Sequence, residues 1–277
     1  MQVIGLCRFS YPAIGGFQVE HDSLEERIAF LYAEHRLEER FRLFETIALP
    51  CLKAQTDQDF LLIVVIGDQL PERHRQRLQR LCADIPQIRI EAHPPRRHRE
   101  LMKEILNDAR DNPAAPCLQF RHDDDDAFST DFIARLRRAA EDAHPVCRDH
   151  RTVAFDWNRG YIAELSGTGI AAGEIYRPFY VAALGMHVRG DDRLTIMNFM
   201  HERLPQFMPA LTFTDPHMWV RSHNGYNDSR QKPVKSFDVT PLTAQEEEMF
   251  RTRFALDADH VRRVFSAPGP DSPARPR

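Results

Sequence analysis

The sequence predicts an α/β fold in which a mostly parallel central sheet is flanked by helices, and two observations lead to this prediction. Short runs of apolar and β-branched residues, such as Phe60–Ile66, are typical of strands that are buried on both faces. Segments with apolar residues at helical spacing separate these runs. Strands that alternate with helices of this length are typical of βαβ units, whose strands lie parallel.

The elements of the first half follow this alternation from the start of the chain. The first strand is expected at Val3–Phe9. A capping box at Ser23–Glu26 begins a long helical stretch, which Pro50 is expected to end or bend. The remaining elements are, in order, a strand at Phe60–Ile66, a helix from Pro71 to about Cys82, a strand at Ile88–Glu91, a helix at Arg97–Arg110, a strand at Cys117–Phe120 and a helix capped by Ser129 or Thr130 that reaches Arg138.

The second half contains more β structure and fewer clear helices. Val153–Asp156 and Tyr161–Leu165 are predicted to form a hairpin with Gly160 in its turn. Ile175–Val188 is a further β-rich stretch, and a helix is expected around Leu194–Arg203.

The bulk composition narrows the class of protein. Hydrophobic residues make up 42% and charged residues 28% of the 277 residues, which is ordinary for a globular protein. The formal net charge of −4 gives no reason to expect a nucleic-acid partner. With no internal repeat and no obvious linker, we expect a single domain at 1–265, with halves at 1–128 and 129–265, and a disordered tail at 266–277.

The cysteines and the apolar segments favour a cytoplasmic location. Five cysteines are widely spaced and form no CxxC motif, which argues against a disulfide framework and against a zinc site. No secretory signal is visible, and the longest apolar stretch, Phe60–Gly67, is far too short to span a bilayer. Contact with a membrane, at its inner face, is therefore expected to be peripheral at most.

A local excess of arginine lies between Pro71 and Glu100, where eight arginines stand against four acidic residues. A solvated helix surface would account for this excess. The alternative is a positive rim for a ligand that carries phosphate, or for an anionic membrane surface.

The acidic run Asp123–Asp126 is the most informative segment of the sequence. Four adjacent carboxylates repel one another, and a divalent cation such as Mg²⁺ would relieve that repulsion while also binding phosphate oxygens. Alternate residues of an extended segment face the same way, so Asp123 and Asp125 are expected to point together into a cleft. The competing interpretation is a solvated acidic turn, or acids favoured by the dipole of the following helix.

The acidic run resembles the DxD motif that follows the fourth strand in GT-A glycosyltransferases. Leu49–Val65 is similar to the helix end and second strand of the family-2 transferases. Four segments together resemble a bacterial family of rhamnosyltransferases, with the likeness extending over about residues 3–230, and they are Arg8–Pro12, Gln55–Phe60, Arg121–Asp126 and Phe155–Tyr161.

This resemblance implies a GT-A-like, Rossmann-like fold, in which 1–128 binds a nucleotide-sugar and the β-containing half 129–265 binds the acceptor and carries catalysis. It implies a metal-dependent glycosyltransferase, using Mn²⁺ or Mg²⁺, that moves rhamnose or another hexose from a nucleotide-diphosphate donor. The acceptor would be a glycan, a lipid-linked molecule or another acceptor in surface polysaccharide synthesis.

The resemblance also implies roles for residues around the first and fourth strands. Asp123 would contact the donor ribose or the metal, Asp125 would bind the metal that bridges the diphosphate, and Asp124 would belong to the donor site. Arg8 would contact the base or a phosphate. Asp68 stands where many relatives carry an acid that binds the nucleoside, although the surrounding sequence differs from theirs.

Late in the chain, the resemblance implies a histidine ligand and a cation for the departing diphosphate. His223 is the first choice for the metal ligand and His217 the second, although a single histidine is more often an ordinary surface or core residue. Arg221 or Arg230 would stabilise the diphosphate.

Two further sets of residues are candidates for the acceptor side. Asp191 and Asp192 follow a β-rich segment, where inverting relatives carry the general base, and helix capping is the competing explanation. Glu202 is a second candidate for the base. Trp157 and Arg159, with the neighbouring Asn158 and Tyr161, would form a platform for a sugar, unless Trp157 packs into the core.

Three other functions compete with glycosyl transfer. A sugar nucleotidyltransferase shares the fold, but the segment Tyr11–Phe17 lacks the basic residue expected in its glycine-rich loop. A non-catalytic protein of the same fold would bind the nucleotide-sugar or a carbohydrate without turnover. A metal-dependent phosphoesterase is the third possibility, but the early strands lack the clusters of His and Asp that such enzymes use.

Overall fold

The structure is a computed structural model that describes residues 1–15, 21–180, 182–223 and 238–267. In these ranges the strands are β1 (Gln2–Arg8), β2 (Leu61–Gly67), β3 (Ile88–His93), β4 (Cys117–Asp123), β5 (Asp126–Phe128), β6 (Thr152–Trp157), β7 (Arg159–Ser166), β8 (Gly169–Tyr176), β9 (Leu184–Val188), β10 (Ala210–Phe213), β11 (Trp219–Ser222) and β12 (Thr240–Pro241). The α-helices are α1 (Leu24–Leu31), α2 (Glu34–Leu43), α3 (Leu49–Lys53), α4 (Glu72–Cys82), α5 (His98–Asp108), α6 (Phe132–Asp142), α7 (His144–Asp149), α8 (Ala244–Phe254) and α9 (Ala258–Ser266).

The central sheet has seven strands in the order β10-β6-β9-β4-β1-β2-β3. All neighbouring pairs in it are parallel except the two pairs that involve β9, which runs antiparallel to β4 and to β6. The prediction of an α/β fold with a mostly parallel central sheet is therefore confirmed.

A second sheet of five strands, in the order β12-β8-β7-β11-β5, grows out of the first. Three parallel strands of the central sheet continue into it within a few residues: β4 leads to β5, β6 to β7, and β10 to β11. Because β4, β6 and β10 run in the same direction, all three crossings lie at one edge of the central sheet, the edge where parallel strands end.

The two faces of the central sheet are covered by different elements. One face packs against α2, α3 and α6 through a large apolar cluster that extends into the second sheet. The other face packs against α5 and a segment of 3₁₀-helix at Ile196–Asn198 and His201–Gln206. The inner strands, such as β1 and β2, are buried on both faces, which explains their near-continuous apolar sequences, whereas the edge strands β3 and β10 are partly exposed.

The predicted strands and helices of the first half are confirmed, and differences at β4, at α6 and at Pro50 bear on the site. Strand β4 continues to Asp123, three residues beyond its predicted end, so the acidic run begins inside the strand. Helix α6 begins after Asp131, later than Ser129 or Thr130. Pro50 does not end its helix, because it lies in the first turn of α3, where no intrahelical donor is needed, directly after a π-helical turn.

The predicted hairpin around Gly160 is wrong. Strand β6 belongs to the central sheet and β7 to the second sheet, and the hairpin partner of β7 is β8. Gly160 lies within β7 opposite Trp219, and a Cβ atom there would come within 2.2 Å of the Trp219 ring. The glycine permits close packing between two strands, so it does not mark a turn.

Two other expectations concern the rest of the second half. The helix expected around Leu194–Arg203 is a pair of short 3₁₀ segments. The predicted disordered tail lies outside the described residues from 268 onward, and Ser266 is the last residue of α9. No helix in the described ranges is both long and apolar enough to cross a membrane.

We predict that Gly160→Ala lowers the free energy of unfolding by about 1–3 kcal/mol, because the added methyl group would force the Trp219 ring from its packed position. Chemical denaturation measures this change. Gly167→Ala is the matched control, since its nearest neighbour is the hydroxyl of Ser266 at an exposed turn. A loss as small at Gly160 as at Gly167 would contradict the packing explanation.

Candidate functional site

The candidate site lies at the edge of the central sheet where β1, β2 and β4 end. Arg8 and Asp123 are paired residues on the adjacent strands β1 and β4, and Arg121 precedes Asp123 by two residues on the same face. All three side chains are partly exposed. Ligands of open α/β sheets bind at this edge, so the sequence places charged residues where a ligand is expected.

The acidic run forms the junction between the two sheets. Asp123 ends β4, Asp124 and Asp125 form a turn, and Asp126 begins β5. Asp124, Asp125 and Asp126 are only 4%, 8% and 1% exposed. Asp123 is therefore the one acid of the run that is not buried.

Arg40 of α2 bonds both acids of the turn. This arginine is 4% exposed, and its Nε and Nη1 atoms donate to Asp124 at 3.1 Å and to Asp125 at 2.9 Å, with a further contact between Nη2 and Asp124. A guanidinium that bonds two buried carboxylates at once satisfies charges that would otherwise be costly to bury. The two central acids of the run are thus held by the protein itself.

Sequence reasoning missed Arg40, although a signal for it was present. Leu37, Phe41 and Phe44 lie on the buried side of this helical stretch, and Arg40 stands between them at helical spacing. A charged residue at such a position has to find a buried partner of opposite charge.

Asp126 and Arg221 face each other across the antiparallel pair of β5 and β11. Burial raises the pKa of Asp126 well above its usual value, with Arg221 acting in the opposite direction. The guanidinium carbon of Arg221 lies 4.4 Å from the centre of the Tyr180 ring, an attractive cation–π contact. Arg221, a predicted diphosphate ligand, is thereby held against the junction.

Asp123 lies among several arginines. Its burial raises its pKa, but Arg121, Arg221 and Arg8 lower it by more, so the pKa of Asp123 is below its usual value. The pKa of Arg121 is also below its usual value. Burial lowers it most, Asp123 raises it, and the charges of the neighbouring arginines lower it further, namely Arg8, Arg221 and Arg99. Positive charge therefore exceeds negative charge around Asp123.

Two histidines lie near the same face of the sheet. Burial and the charges of Arg8 and Arg121 lower the pKa of His98, the first residue of α5, to about 3, so it is neutral. Burial lowers the pKa of His201, and the charge of Arg121 lowers it further. Its Nδ1 atom lies 2.6 Å from the carbonyl oxygen of Phe179, which can only accept, so Nδ1 carries the proton and Nε2 has a free electron pair.

Asp156 is a buried carboxyl at the same edge. It lies near the end of β6, is 0% exposed, and accepts a hydrogen bond of 2.9 Å from the backbone N–H of Phe179. Burial raises its pKa to about 7. Two hydrogen bonds of Phe179, one from its N–H to Asp156 and one from His201 to its carbonyl oxygen, thus fix the segment that contains Phe179 and Tyr180.

The other residues predicted for the donor and metal sites lie in different surroundings. Asp68 follows β2 at the same edge of the sheet and is exposed. His217 lies with Nε2 2.9 Å from Glu174 and stacks on Tyr161. The backbone N–H of His223, the last residue before the undescribed 224–237, donates to Ala163, and its assignment as a metal ligand stays a prediction. Arg230 lies outside the described residues.

The structure does not bring Asp191 and Asp192 to this site. Because β9 is antiparallel to β4, its last residue, Val188, pairs with the first residue of β4, Cys117. The two acids therefore follow the opposite edge of the sheet from Asp123. Asp192 pairs with Arg151 there and caps Leu194, so its role is structural, and the prediction of a general base at these positions is not supported.

The predicted acceptor platform is also corrected. Trp157 is 3% exposed and packs between Phe132 and Phe213, so its faces belong to the core. Arg159 is bonded to Glu174 and lies 3.6 Å from Asp215. Glu202, the second candidate for the general base, pairs with Arg177 at 3.2 Å.

The acids of the run differ in how far the protein itself engages them, which bears on the expected divalent cation. Mg²⁺ is ordinarily held by one or two carboxylates together with water and phosphate oxygens of a substrate. Asp124 and Asp125 are bonded to Arg40, whereas the two oxygens of the buried Asp126 carboxylate accept no hydrogen bond from the described residues. In the described ranges, no group of three or more His, Cys, Asp or Glu residues is placed to hold a metal. The Mn²⁺ or Mg²⁺ site expected at Asp123, Asp125 and His223 therefore stays a prediction.

We predict that Arg40→Gln lowers the free energy of unfolding by about 3–5 kcal/mol, because it removes the guanidinium that bonds the buried carboxylates of Asp124 and Asp125. The control is Arg138→Gln, which removes an exposed arginine paired with Asp142 and is expected to cost about 0.5 kcal/mol or less. Urea denaturation of both variants tests this, and equal small effects would show that Arg40 does not hold the junction.

Asp156 is predicted to make stability depend on pH. The native pKa is raised to about 7, so the native state keeps a proton that the unfolded chain has lost above its usual pKa of 3.8. The free energy of unfolding then falls between these values, by at most about 1.4 kcal/mol per pH unit, and levels off above pH about 7. Denaturation of the wild type and Asp156→Asn across this range should show a shallower decline in the variant, and parallel curves would refute the assignment.

Comparison with known proteins gave matches to solved structures, whereas no curated protein matches the sequence significantly. S. aureus TarS 1–349 is 9% identical with a TM-score of 0.41, over 80% of this chain and 60% of that one. TarS 1–349 in complex with UDP-GlcNAc is 10% identical with a TM-score of 0.39, over 96% and 71%. A structure from Desulfovibrio desulfuricans G20, described as a "putative nucleotide-diphospho-sugar transferase", is 12% identical with a TM-score of 0.41, over 95% and 99%.

The sequence itself gives a more direct assignment. A family model described as "Putative rhamnosyl transferase" matches residues 2–236, which is most of the chain and includes every element from β1 to β11. The chain belongs to this rhamnosyl transferase family.

Proposed function

We propose that the protein transfers a sugar from a nucleoside-diphosphate donor to a hydroxyl group of an acceptor. The observation that carries this proposal is the convergence of Arg8, Arg121 and Arg221 on Asp123, at the edge of the sheet where parallel strands end. Membership of the family supports the same reaction class. The TarS structure that contains UDP-GlcNAc supports a nucleotide-sugar as the kind of donor.

The arginines would bind the donor's diphosphate. A guanidinium matches phosphate oxygens with two parallel hydrogen bonds, and it stabilises the charge that develops on a diphosphate as it leaves. Asp123 is ionised and partly exposed, so it can accept hydrogen bonds from hydroxyl groups of the donor ribose or sugar. A site with both features suits a ligand that carries a diphosphate next to a polyol.

His201 is the group that we assign to the acceptor proton. In the reaction, the acceptor oxygen forms a bond to the anomeric carbon, and the bond from that carbon to the diphosphate breaks with its electron pair. The acceptor hydroxyl loses a proton, and Nε2 of neutral His201 has a free electron pair to take it. Phe179 fixes the imidazole tautomer from the opposite nitrogen.

The sugar and the acceptor are proposed at a coarser level. The family description supports a rhamnosyl donor, with another hexose as the alternative. The acceptor would be a glycan or a lipid-linked molecule. No step of the proposal depends on a metal ion, and the Mn²⁺ or Mg²⁺ expected from the sequence stays a prediction.

We predict that purified protein binds one of UDP, GDP and dTDP in buffer that contains both Mg²⁺ and Mn²⁺, as measured by calorimetry. Asp123→Asn should weaken this binding by about 10-fold or more and abolish slow release of nucleoside diphosphate from the matching nucleotide-sugar. His201→Gln should leave nucleotide binding within about 2-fold but lower the release rate by about 100-fold, the low end for a general base.

The two variants separate the parts of the proposal. Equal loss of binding in both would show that His201 holds the nucleotide and is not the base. Absence of binding for all three nucleotides, in protein shown to be folded, would count against the nucleotide-sugar reaction as a whole.

A further inference from the structure

We propose that Tyr180 is a positioning residue, whose ring holds the guanidinium of Arg221 in place before the donor binds. The inference rests on the proposed function, because it concerns how one group of that site is placed. It is carried by the contacts of the Tyr180 ring, by the hydrogen-bonding state of Asp126 and by the backbone of the segment that ends at Tyr180.

The ring of Tyr180 packs against three side chains. Its centre lies 4.4 Å from the guanidinium carbon of Arg221 and 4.8 Å from that of Arg177. The centre of the Trp219 ring lies 5.3 Å away, with the two rings tilted by 51–55° or less. Trp219 and Arg221 are alternate residues of β11, so their side chains lie on the same face of that strand. Tyr180 therefore covers this face of β11 at the position of Arg221.

The contact with Tyr180 leaves the N–H groups of Arg221 available to a ligand. A cation–π contact holds a guanidinium through its charge and engages none of its N–H groups in hydrogen bonds to an acceptor oxygen. Asp126 lies opposite Arg221 on β5, yet its two carboxylate oxygens accept no hydrogen bond from the described residues. Burial acts to lower the pKa of Arg221, and the charges of Asp126 and neighbouring acids raise it by more. Asp126 therefore attracts Arg221 without taking up the donors that a phosphate would need.

The backbone before Tyr180 is held firmly, although one of its residues is strained. Three hydrogen bonds hold it, namely those from the Arg177 N–H to Asn158 (2.7 Å), from the Phe179 N–H to Asp156 (2.9 Å) and from Nδ1 of His201 to Phe179 (2.6 Å). Phe179 has a φ of +53°, in the left-handed region that a bulky residue rarely adopts. Such a conformation costs free energy and persists where the surrounding structure holds it. The bonds to Phe179 thus keep a strained backbone that places the next residue, Tyr180, against Arg221.

A fixed arginine favours binding for an entropic reason. The side chain of arginine has several rotatable bonds, and binding that orders it costs conformational entropy. Because Tyr180 holds Arg221 beforehand, less of this cost falls on the binding step. Loss of the ring is therefore expected to weaken binding of the diphosphate, and to do so only while Arg221 is present.

The experiment is a double-mutant cycle on calorimetric binding of whichever of UDP, GDP and dTDP the wild type binds in buffer with Mg²⁺ and Mn²⁺. Tyr180→Leu keeps an apolar side chain without a π face and should weaken binding by about 3- to 10-fold. Tyr180→Phe keeps the ring and should restore most of that loss. In an Arg221→Gln background, Tyr180→Leu should change the dissociation constant by less than about 2-fold.

Tyr176→Leu is the matched control, because it makes the same exchange at a tyrosine of β8 that is 64% exposed, and it should leave binding unchanged. Thermal unfolding of each variant shows that a loss of binding is not a loss of folding. A tyrosine that served only the packing of the fold would weaken binding equally in both backgrounds, so the cycle separates the two roles.

A second measurement follows Arg221 in the protein without ligand. The NMR signal of its Nε–H group, assigned by its absence in Arg221→Gln, is sensitive to an aromatic ring close by. The signal should move in Tyr180→Leu and stay near its original position in Tyr180→Phe.

The outcomes are distinct. Equal weakening by Tyr180→Leu with and without Arg221, or an Arg221 signal that does not move in Tyr180→Leu, would overturn the inference and leave the proposed function in place. Binding as weak in Tyr180→Phe as in Tyr180→Leu would also overturn it, because the hydroxyl group would then matter and not the ring. No binding of any of the three nucleotides by folded wild type would remove the proposed function and this inference with it.

Discussion

The ion pairs of Arg40 with Asp124 and Asp125 are the interaction on which the arrangement of the site depends. They fix the turn through which β4 passes from the central sheet into the second sheet. The turn sets the positions of the two acids that flank it. Asp123 lies at the end of β4, and Asp126 lies at the start of β5, opposite Arg221. Removal of one partner of a buried ion pair is costly because it leaves the other charge unbalanced, so a change at Arg40 would disturb both acids of the turn.

The ion pairs of Arg40 also determine which charges remain for a ligand. A run of four acids suggests a strongly negative site, yet one buried arginine and burial of Asp126 leave a single partly exposed carboxylate among several arginines. The character of the site is thus the reverse of what the local sequence suggests. Charge patterns along a chain are informative only after the long-range partners of each charge are known.

Local periodicity was enough to predict the first half of the fold, because each strand and helix there is defined by its own spacing of apolar residues. The second half could not be predicted in the same way. Gly160 looked like a turn residue, but it serves close packing against Trp219. Asp191 and Asp192 were assigned to the site because the sequence does not reveal that β9 runs antiparallel, which places its end at the far edge. Arg8, Asp68 and Asp123 could be placed at one edge of the sheet because each lies at or just after the end of a predicted strand. Asp156 and His201 depend on tertiary contacts that no local pattern contains.

The three crossings at one edge have a consequence for how such a protein can diversify. The second sheet is assembled from separate stretches of chain, since β5, the β7–β8 hairpin and β11 each follow a strand of the central sheet. It cannot be exchanged for another module by recombination, as a domain joined by a linker can. New acceptor preferences must instead arise by substitutions and loop insertions around a fixed pair of sheets, so relatives with different acceptors should share this framework and differ in its loops.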